Sequence, residues 1–112
     1  MSNLDLAFAA LSDPTRRRIV ARLTRGEIRV TDLAQPFAMS LNAVSKHVKM
    51  LERAGLVRRT RVGREHYLRL RAAPLRDVAR WTAQYERFWK QRLDALGQFL
   101  EQQKESVDEG SQ

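Results

Sequence analysis

The stretch from Ser40 to Val57, SLNAVSKHVKMLERAGLV, combines hydrogen-bonding side chains with an apolar row at helical spacing. Its hydroxyl, amide and ammonium groups belong to Ser40, Asn42, Ser45, Lys46 and Lys49. An ordinary solvated helix face more often carries Glu–Lys pairs, whereas these short or flexible groups suit contact with a partner. In a DNA major groove, Asn pairs with adenine, and Lys contacts guanine or a phosphate. The stretch therefore predicts a surface that contacts nucleic acid.

Ser40 and His47 lie at the margins of this polar face. Ser40 precedes the helix, where hydroxyl and backbone N–H groups meet phosphate oxygens. His47 either donates to a phosphate or lies at the edge of the core between Val44 and Leu51. Both residues are kept as candidate DNA contacts.

An apolar row positions these polar groups. Leu41, Val44, Val48 and Leu51 follow the spacing i, i+3, i+7 and i+10, which predicts a helix over 41–54 seated on the core. Ser40 is a candidate N-cap, and Gly55 is placed to terminate the helix.

Helices are also predicted before this segment. A short apolar helix stops at Ser12, and a second helix begins after Asp13, its expected N-cap, and ends before Gly26. Its run Arg16 to Arg18 cannot all face one row of phosphates, so we expect one of the three, not identified, to contact DNA. A third, short helix capped by Thr31 is expected over TDLAQPF.

The residues after Gly55 predict a β-hairpin. LVRRTRV and REHYLRLR flank Gly63 and are rich in strand-forming residues. Arg61 and Arg64 near its turn are candidate DNA contacts, although a charged hairpin can also serve only to avoid edge pairing. Arg58 and Arg59 point to opposite faces by strand alternation, so at most one should join them.

A long final helix is predicted over 74–104 and carries apolar residues on a wide arc. Its aromatics could line a ligand pocket, but at helical spacing they are more typical of a dimer core. We expect one domain over 1–104 and a polar tail over 105–112. The candidate dimer residues are Leu4, Phe8, Trp81, Tyr85, Phe88, Trp89 and Leu96.

The charge of the chain is distributed unevenly. The net charge is +8, with 15 basic and 6 acidic residues in 1–72 against 6 and 7 in 73–112. This favours a polyanionic partner for the first two thirds of the chain. No apolar run could span a membrane, and no leader is recognised, so a cytoplasmic location without membrane contact is expected.

Several kinds of chemistry lack the residues that they need. The chain has no cysteine, which excludes disulfides and thiolate metal sites, and His47 and His66 cannot form a metal site alone. No phosphate-cradling glycine loop or His–carboxylate arrangement is present, so we expect no enzyme and no cofactor.

The ordered segments ALSDPTRRRIVARL, VTDLA, SLNAVSKHVKMLERAGLV and GREHYLRL resemble the ArsR/SmtB family of winged helix-turn-helix transcriptional repressors. The resemblance runs from about Leu6 to Leu100. It implies a mainly α fold with a small β-hairpin in the order ααααββα. It also implies a homodimer joined through its first and last helices, which binds an operator with inverted half-sites. Metal-sensing members place two cysteines in the segment that matches Glu27 to Ala34, where this chain has Arg29 and Thr31.

Two hypotheses about function follow. The first is a homodimeric, sequence-specific repressor that binds double-stranded DNA through Ser40, Asn42, Ser45, Lys46, His47, Lys49, Arg61 and Arg64. The alternative is a non-specific architectural or RNA-binding protein that uses the same basic surface.

Overall fold

The computed structural model describes the backbone of residues 2–110 and the side chains of residues 2–104. It contains two compact units, Met1–Val78 and Ala79–Gln112. The elements are α1 (Asn3–Leu11), α2 (Pro14–Leu23), β1 (Ile28–Arg29), α3 (Val30–Ala34), α4 (Leu41–Arg53), β2 (Val57–Val62), β3 (Glu65–Leu70) and α5 (Ala72–Gly110).

Local side-chain caps define the starts of α1 and α2. Ser2 and Asp5 form a reciprocal capping box at α1. The Asp13 carboxylate accepts a hydrogen bond from the Arg16 backbone N–H at 3.0 Å, and Pro14 occupies the first turn of α2. The predicted Asp13 cap is confirmed.

The region from Ile28 to Ala34 differs from the prediction. The predicted Thr31 cap is wrong: α3 starts at Val30, its N-cap is Arg29 without a side-chain hydrogen bond, and Thr31 lies inside the helix. Sheet pairing explains the shift, because Ile28 and Arg29 pair with Leu68 and Tyr67 of β3 and Val30 is buried. The chain must therefore turn directly from strand into helix.

Helix α4 matches the predicted segment to within one residue. The Ser40 hydroxyl accepts from the Ala43 backbone N–H at 3.1 Å. At the other end, Gly55 adopts φ +74°, and the Gly55 and Leu56 N–H groups donate to the Glu52 and Leu51 carbonyls. This is the Schellman arrangement, in which a left-handed residue satisfies the last carbonyls of a helix.

The predicted core row of α4 holds for three of its four residues. Val44, Val48 and Leu51 are fully buried, but Leu41 is 47% exposed, so its predicted place in the core is wrong. Leu41 is the first residue of the helix, and the helix rotation places it only about 20° from the buried Val48. Its exposure therefore comes from its position at the start of the helix and not from the face on which it lies.

The hairpin belongs to a three-stranded antiparallel sheet in the order β1-β3-β2. Gly63 and Arg64 connect the pair Val62 and Glu65, and Gly63 adopts φ +64°, a region that glycine enters without steric cost. Leu68 is fully buried and joins the sheet to the helical core. The hairpin is therefore anchored at its base, and its turn is exposed.

Helix α5 is longer than predicted at both ends. It begins at Ala72, two residues before Pro74, and continues to Gly110 through most of the predicted polar tail. Proline is compatible with the first turn of a helix, so Pro74 does not define the start. Ser111 and Gln112 lie outside the described residues.

Candidate nucleic-acid interface

The exposed face of α4 carries the polar groups singled out in the sequence. Asn42, Lys46 and Lys49 are exposed. They lie on the side of the helix opposite the buried Val44 and Leu51, as a rotation of about 100° per residue requires. The amide and the two ammonium groups are therefore presented together to solvent by a helix fixed in the core.

One flank of this face adjoins the hairpin. The half-buried Ser45 and the exposed Leu41 line a cavity of about 180 Å³ together with Arg64. Ser40 is exposed at the start of α4, and its hydroxyl oxygen is occupied by the Ala43 N–H, which leaves the hydroxyl proton available as a donor.

The other flank is formed by His47, whose side chain is 24% exposed. Its Nδ1 lies 3.3 Å from Nη1 of Arg16 and 3.8 Å from the Asp13 carboxylate. Backbone hydrogen bonding from Arg16 lowers the pKa of the Asp13 carboxyl below its usual value, and the nearby Arg16 charge acts in the same direction. His47 thus joins α4 to the start of α2.

The arginines of the hairpin divide into two groups. Arg61 and Arg64 are exposed near the turn; the Nε of Arg61 donates to the Gly63 carbonyl at 2.9 Å. Arg64 has no hydrogen-bond or ion-pair partner among residues 2–104. Arg59 is directed towards α4, where it pairs with Glu52, while Arg58 is exposed. The expected separation of Arg58 from Arg59 is therefore observed.

The three consecutive arginines of α2 have different surroundings. Arg16 is only 9% exposed, so its side chain is directed into the protein. Arg17 donates to the Leu11 carbonyl at 2.8 Å, and the Arg18 guanidinium lies 4.7 Å from the centre of the Phe37 ring. A DNA contact from one of the three stays a prediction, and burial makes Arg16 unsuited to a direct one.

The candidate dimer residues lie on α1 and α5. Leu4 and Phe8 are half-buried within the first unit. In the second unit, Trp81, Tyr85, Phe88, Trp89 and Leu96 are between 40% and 53% exposed. The Trp81 and Tyr85 ring centres are 4.3 Å apart, and a cavity of about 390 Å³ is lined by Gln84, Tyr85 and Phe88. The second unit thus presents a large exposed apolar surface.

Comparison with known proteins identifies the family. The sequence profile of a helix-turn-helix domain matches residues 11–60, which include α2, α3 and α4. The HTH-type transcriptional regulator Rv2034 of Mycobacterium tuberculosis is 36% identical over 87% of this chain and 88% of its own length. The transcriptional repressor SdpR of Bacillus subtilis is 35% identical over 66% of this chain and 82% of its own length.

Solved structures agree with these relatives. An ArsR-like transcriptional regulator from Rhodococcus sp. RHA1 has 37% identity and a TM-score of 0.72 over 88% of this chain and 91% of its own. The chain belongs to the ArsR/SmtB family of winged helix-turn-helix transcriptional regulators. A second structure of this fold, the homodimeric winged helix-turn-helix DNA-binding domain of a Mycobacterium bovis protein, has 30% identity and a TM-score of 0.60 over 81% of this chain and 82% of its own.

In this ArsR/SmtB chain, the segment that corresponds to the family's cysteine site holds charged side chains instead of thiols. Arg29 is hydrogen-bonded to Asp32 at 3.1 Å and lies 3.6 Å from Glu65. The hydrogen bond to Asp32 raises the pKa of Arg29. Among the side chains of residues 2–104, no three His, Asp or Glu residues come together in a group that could hold a metal ion. An arginine–carboxylate cluster thus lies in this segment.

A helix that crosses a membrane needs a long and almost wholly apolar segment. Within the described part of this ArsR/SmtB chain, no helix combines that length with that composition.

Sequence reasoning missed two residues at this interface of the ArsR/SmtB chain. Arg16 was treated as a surface residue, although it lies three, four and seven positions before the buried Ile19, Val20 and Leu23 and so shares their face. Leu41 was assigned to the core, and the helical wheel supported that assignment because it places Leu41 about 20° from the buried Val48. Helical-wheel geometry therefore carried the signal for Arg16, whereas the exposure of Leu41 at the start of the helix was not signalled by it.

Proposed function

We propose that this chain is a sequence-specific, DNA-binding transcriptional regulator that acts as a homodimeric repressor. One observation carries the proposal: the exposed face of α4 presents Asn42, Lys46 and Lys49 directly opposite the residues that seat the helix in the core. A rigid helix with a polar outer face is the element that helix-turn-helix proteins place in the major groove. The Bacillus subtilis relative is named a transcriptional repressor, which supports repression rather than activation.

Base recognition is assigned to the middle and the start of this face. Asn42 can form two hydrogen bonds with an adenine edge, and Lys46 can donate to guanine. Ser45 supplies a hydroxyl beside them. Leu41 is exposed at the start of α4, and its apolar side chain suits contact with a thymine methyl group.

Phosphate contacts are assigned to the rim. Ser40 at the start of α4, His47 on its α2 flank and Lys49 further along can each donate to a phosphate oxygen. Arg61 and Arg64 of the hairpin extend this row of donors beyond α4 on the opposite flank from His47. Such contacts fix the position of the protein on the duplex and make its affinity depend on salt.

A homodimer fits the apolar surface of the second unit. Four aromatic side chains of α5 are between 40% and 53% exposed in the single chain: Trp81, Tyr85, Phe88 and Trp89. An exposed apolar patch of this kind marks an interface with another molecule. The homodimeric domain from Mycobacterium bovis supports the same assembly. Two copies of α4 would then enter successive major grooves about 34 Å apart, which requires an inverted-repeat operator.

The alternative of non-specific nucleic-acid binding is not favoured, because the relatives are named as regulators or repressors. Fragments of the host genome should first be selected on the purified protein. The selected duplex should then be competed against bulk DNA and against duplex RNA at fixed salt. We expect a preference of at least about a thousandfold for the selected duplex. Equal competition by bulk DNA would reject a sequence-specific regulator.

A further inference from the structure

Arg16 is a charged residue inside the core of the first unit, where only 9% of its surface is exposed. Burial of a charge is unfavourable unless hydrogen bonds compensate for the lost water. Nε of Arg16 donates to the Ala10 carbonyl at 2.6 Å, and Nη2 donates to the Ala9 carbonyl at 3.2 Å. Both carbonyls lie in the last turn of α1, where the negative end of the helix dipole stabilises a cation.

The remaining arm of the guanidinium contacts the recognition helix. Nη1 of Arg16 lies 3.3 Å from Nδ1 of His47. A guanidinium offers only N–H donors and stays protonated, so this hydrogen bond forms only if Nδ1 accepts. Nδ1 is then unprotonated, and the single proton of the neutral ring resides on Nε2.

Asp13 competes for the same nitrogen and would favour the other tautomer. Its carboxylate lies 3.8 Å from Nδ1, beyond the range of a hydrogen bond and farther than the Arg16 donor. The Asp13 oxygen closest to His47 also accepts from the Arg16 backbone N–H at 3.0 Å. The distances therefore favour the acceptor role of Nδ1.

We propose that Arg16 is a positioning residue for DNA binding, which holds His47 as the Nε2–H tautomer so that its one donor is directed outwards to a phosphate. The proposal rests on the function proposed above. Nε2 of His47 has no partner among the described residues, and the side chain is 24% exposed at the edge of the α4 face. A residue that cannot itself reach DNA thus determines a DNA contact.

The tautomer can be tested first without DNA. Two-dimensional ¹⁵N–¹H spectra of the histidine rings at about pH 8 distinguish the two neutral tautomers, and the His47 signals are assigned by their disappearance in His47→Gln. We expect a protonated Nε2 and an unprotonated Nδ1 in the full chain. Arg16→Lys, which keeps the charge but removes the planar fork, should give a mixture of tautomers. A wild-type ring protonated on Nδ1 would overturn the proposal.

The DNA contact is tested with two variants that separate the nitrogens of His47. His47→Asn retains an acceptor near the Nδ1 position but no donor near Nε2, whereas His47→Gln can place an amide donor near Nε2. The readout is operator affinity at fixed salt, because a neutral imidazole donates to a phosphate without neutralising it and so should leave the salt dependence of binding unchanged. We expect affinity to fall about tenfold in His47→Asn, as for a lost hydrogen bond to a charged group, whereas His47→Gln should bind within about twofold of the wild type.

Arg16→Lys should also lower operator affinity, by less than His47→Asn because part of the ring population keeps the Nε2 proton, and the double variant should lower it no further than His47→Asn alone. A merely structural role for Arg16 would reduce the folded fraction but leave the affinity of the folded protein unchanged. Wild-type affinity in folded Arg16→Lys, or in His47→Asn, would contradict the proposal. If Arg16→Lys does not fold, the wild-type tautomer and the two His47 variants decide. Absence of any operator preference in the wild type would instead reject the proposed function and leave the tautomer result intact.

Discussion

Arg59 of β2 donates twice to one carboxylate oxygen of Glu52 on α4, from Nη2 at 2.8 Å and from Nε at 3.2 Å. Both side chains are largely shielded from water, at 25% and 29% exposure. This contact joins the hairpin to the recognition helix. The two predicted DNA-binding elements are therefore held in a fixed position relative to each other. Paired charges in partly buried positions interact more strongly than those at the surface.

Arg59→Ala should lower the free energy of unfolding by about 1 kcal/mol or more, because the Glu52 carboxylate is left without its partner in a shielded position. Arg69→Ala is the matched control, since Arg69 pairs with Glu27 at a similar 3.1 Å but is 72% exposed. That variant should cost less than about 0.5 kcal/mol. Urea denaturation measures both, and equal destabilisation would contradict a special role for the Arg59–Glu52 contact.

Arg64→Ala should weaken binding to all duplex sequences alike and lower the salt slope by about 0.9, as expected when one phosphate is no longer neutralised. Stability should not change, because Arg64 has no partner among residues 2–104. Arg25→Ala, which removes the same charge at an exposed position just after α2, should leave the slope near that of the wild type. Fluorescence anisotropy at several salt concentrations measures the slopes. The same slope change in both variants would show that only net charge matters.

Leu41→Ala should relax the preference of the protein for one base pair in each half-site, because the shorter side chain no longer reaches a thymine methyl group. The expected change in discrimination at that position is about 1 kcal/mol. Val44→Ala, by contrast, removes methyl groups from a fully buried site and should destabilise the fold. Binding to a panel of single-base operator variants, together with thermal unfolding, measures both effects. Unchanged discrimination at every position in Leu41→Ala would place its side chain away from the bases.

Phe88→Glu should convert the dimer into a monomer, because a charge would enter an apolar interface without a partner. Gln98→Glu adds the same charge to α5 outside the arc that holds the aromatic residues and should leave the dimer intact. Sedimentation at micromolar concentration distinguishes the two states. A wild-type chain that sediments only as a monomer, or a dimer that survives Phe88→Glu, would reject this interface.

The sequence predicted the recognition helix well because its signals are local. The hydroxyl of Ser40, the apolar spacing and Gly55 each act within a few residues; both caps are found in the structure, and three of the four residues of the apolar row are buried. The Asp13 cap is equally local. Elements of this kind depend little on the rest of the fold.

Other features depend on residues far apart in the chain and were not predicted. Pairing of Ile28 with Leu68 adds a third strand and moves the start of α3 away from Thr31. The contact of Arg16 with His47 joins residues 31 positions apart. Tertiary pairing decides both, and a single sequence contains no record of which distant residues meet.

Base recognition by the outer face of α4 is the central claim, and the most direct measurement is the affinity of single variants for a selected operator and for bulk DNA. Asn42→Ala and Lys46→Ala should each weaken operator binding by about 1–3 kcal/mol and reduce its preference over bulk DNA, while the fold stays intact. Lys90→Ala, which removes an exposed charge from α5, should bind as the wild type does. Unchanged operator affinity in both Asn42→Ala and Lys46→Ala would contradict the account.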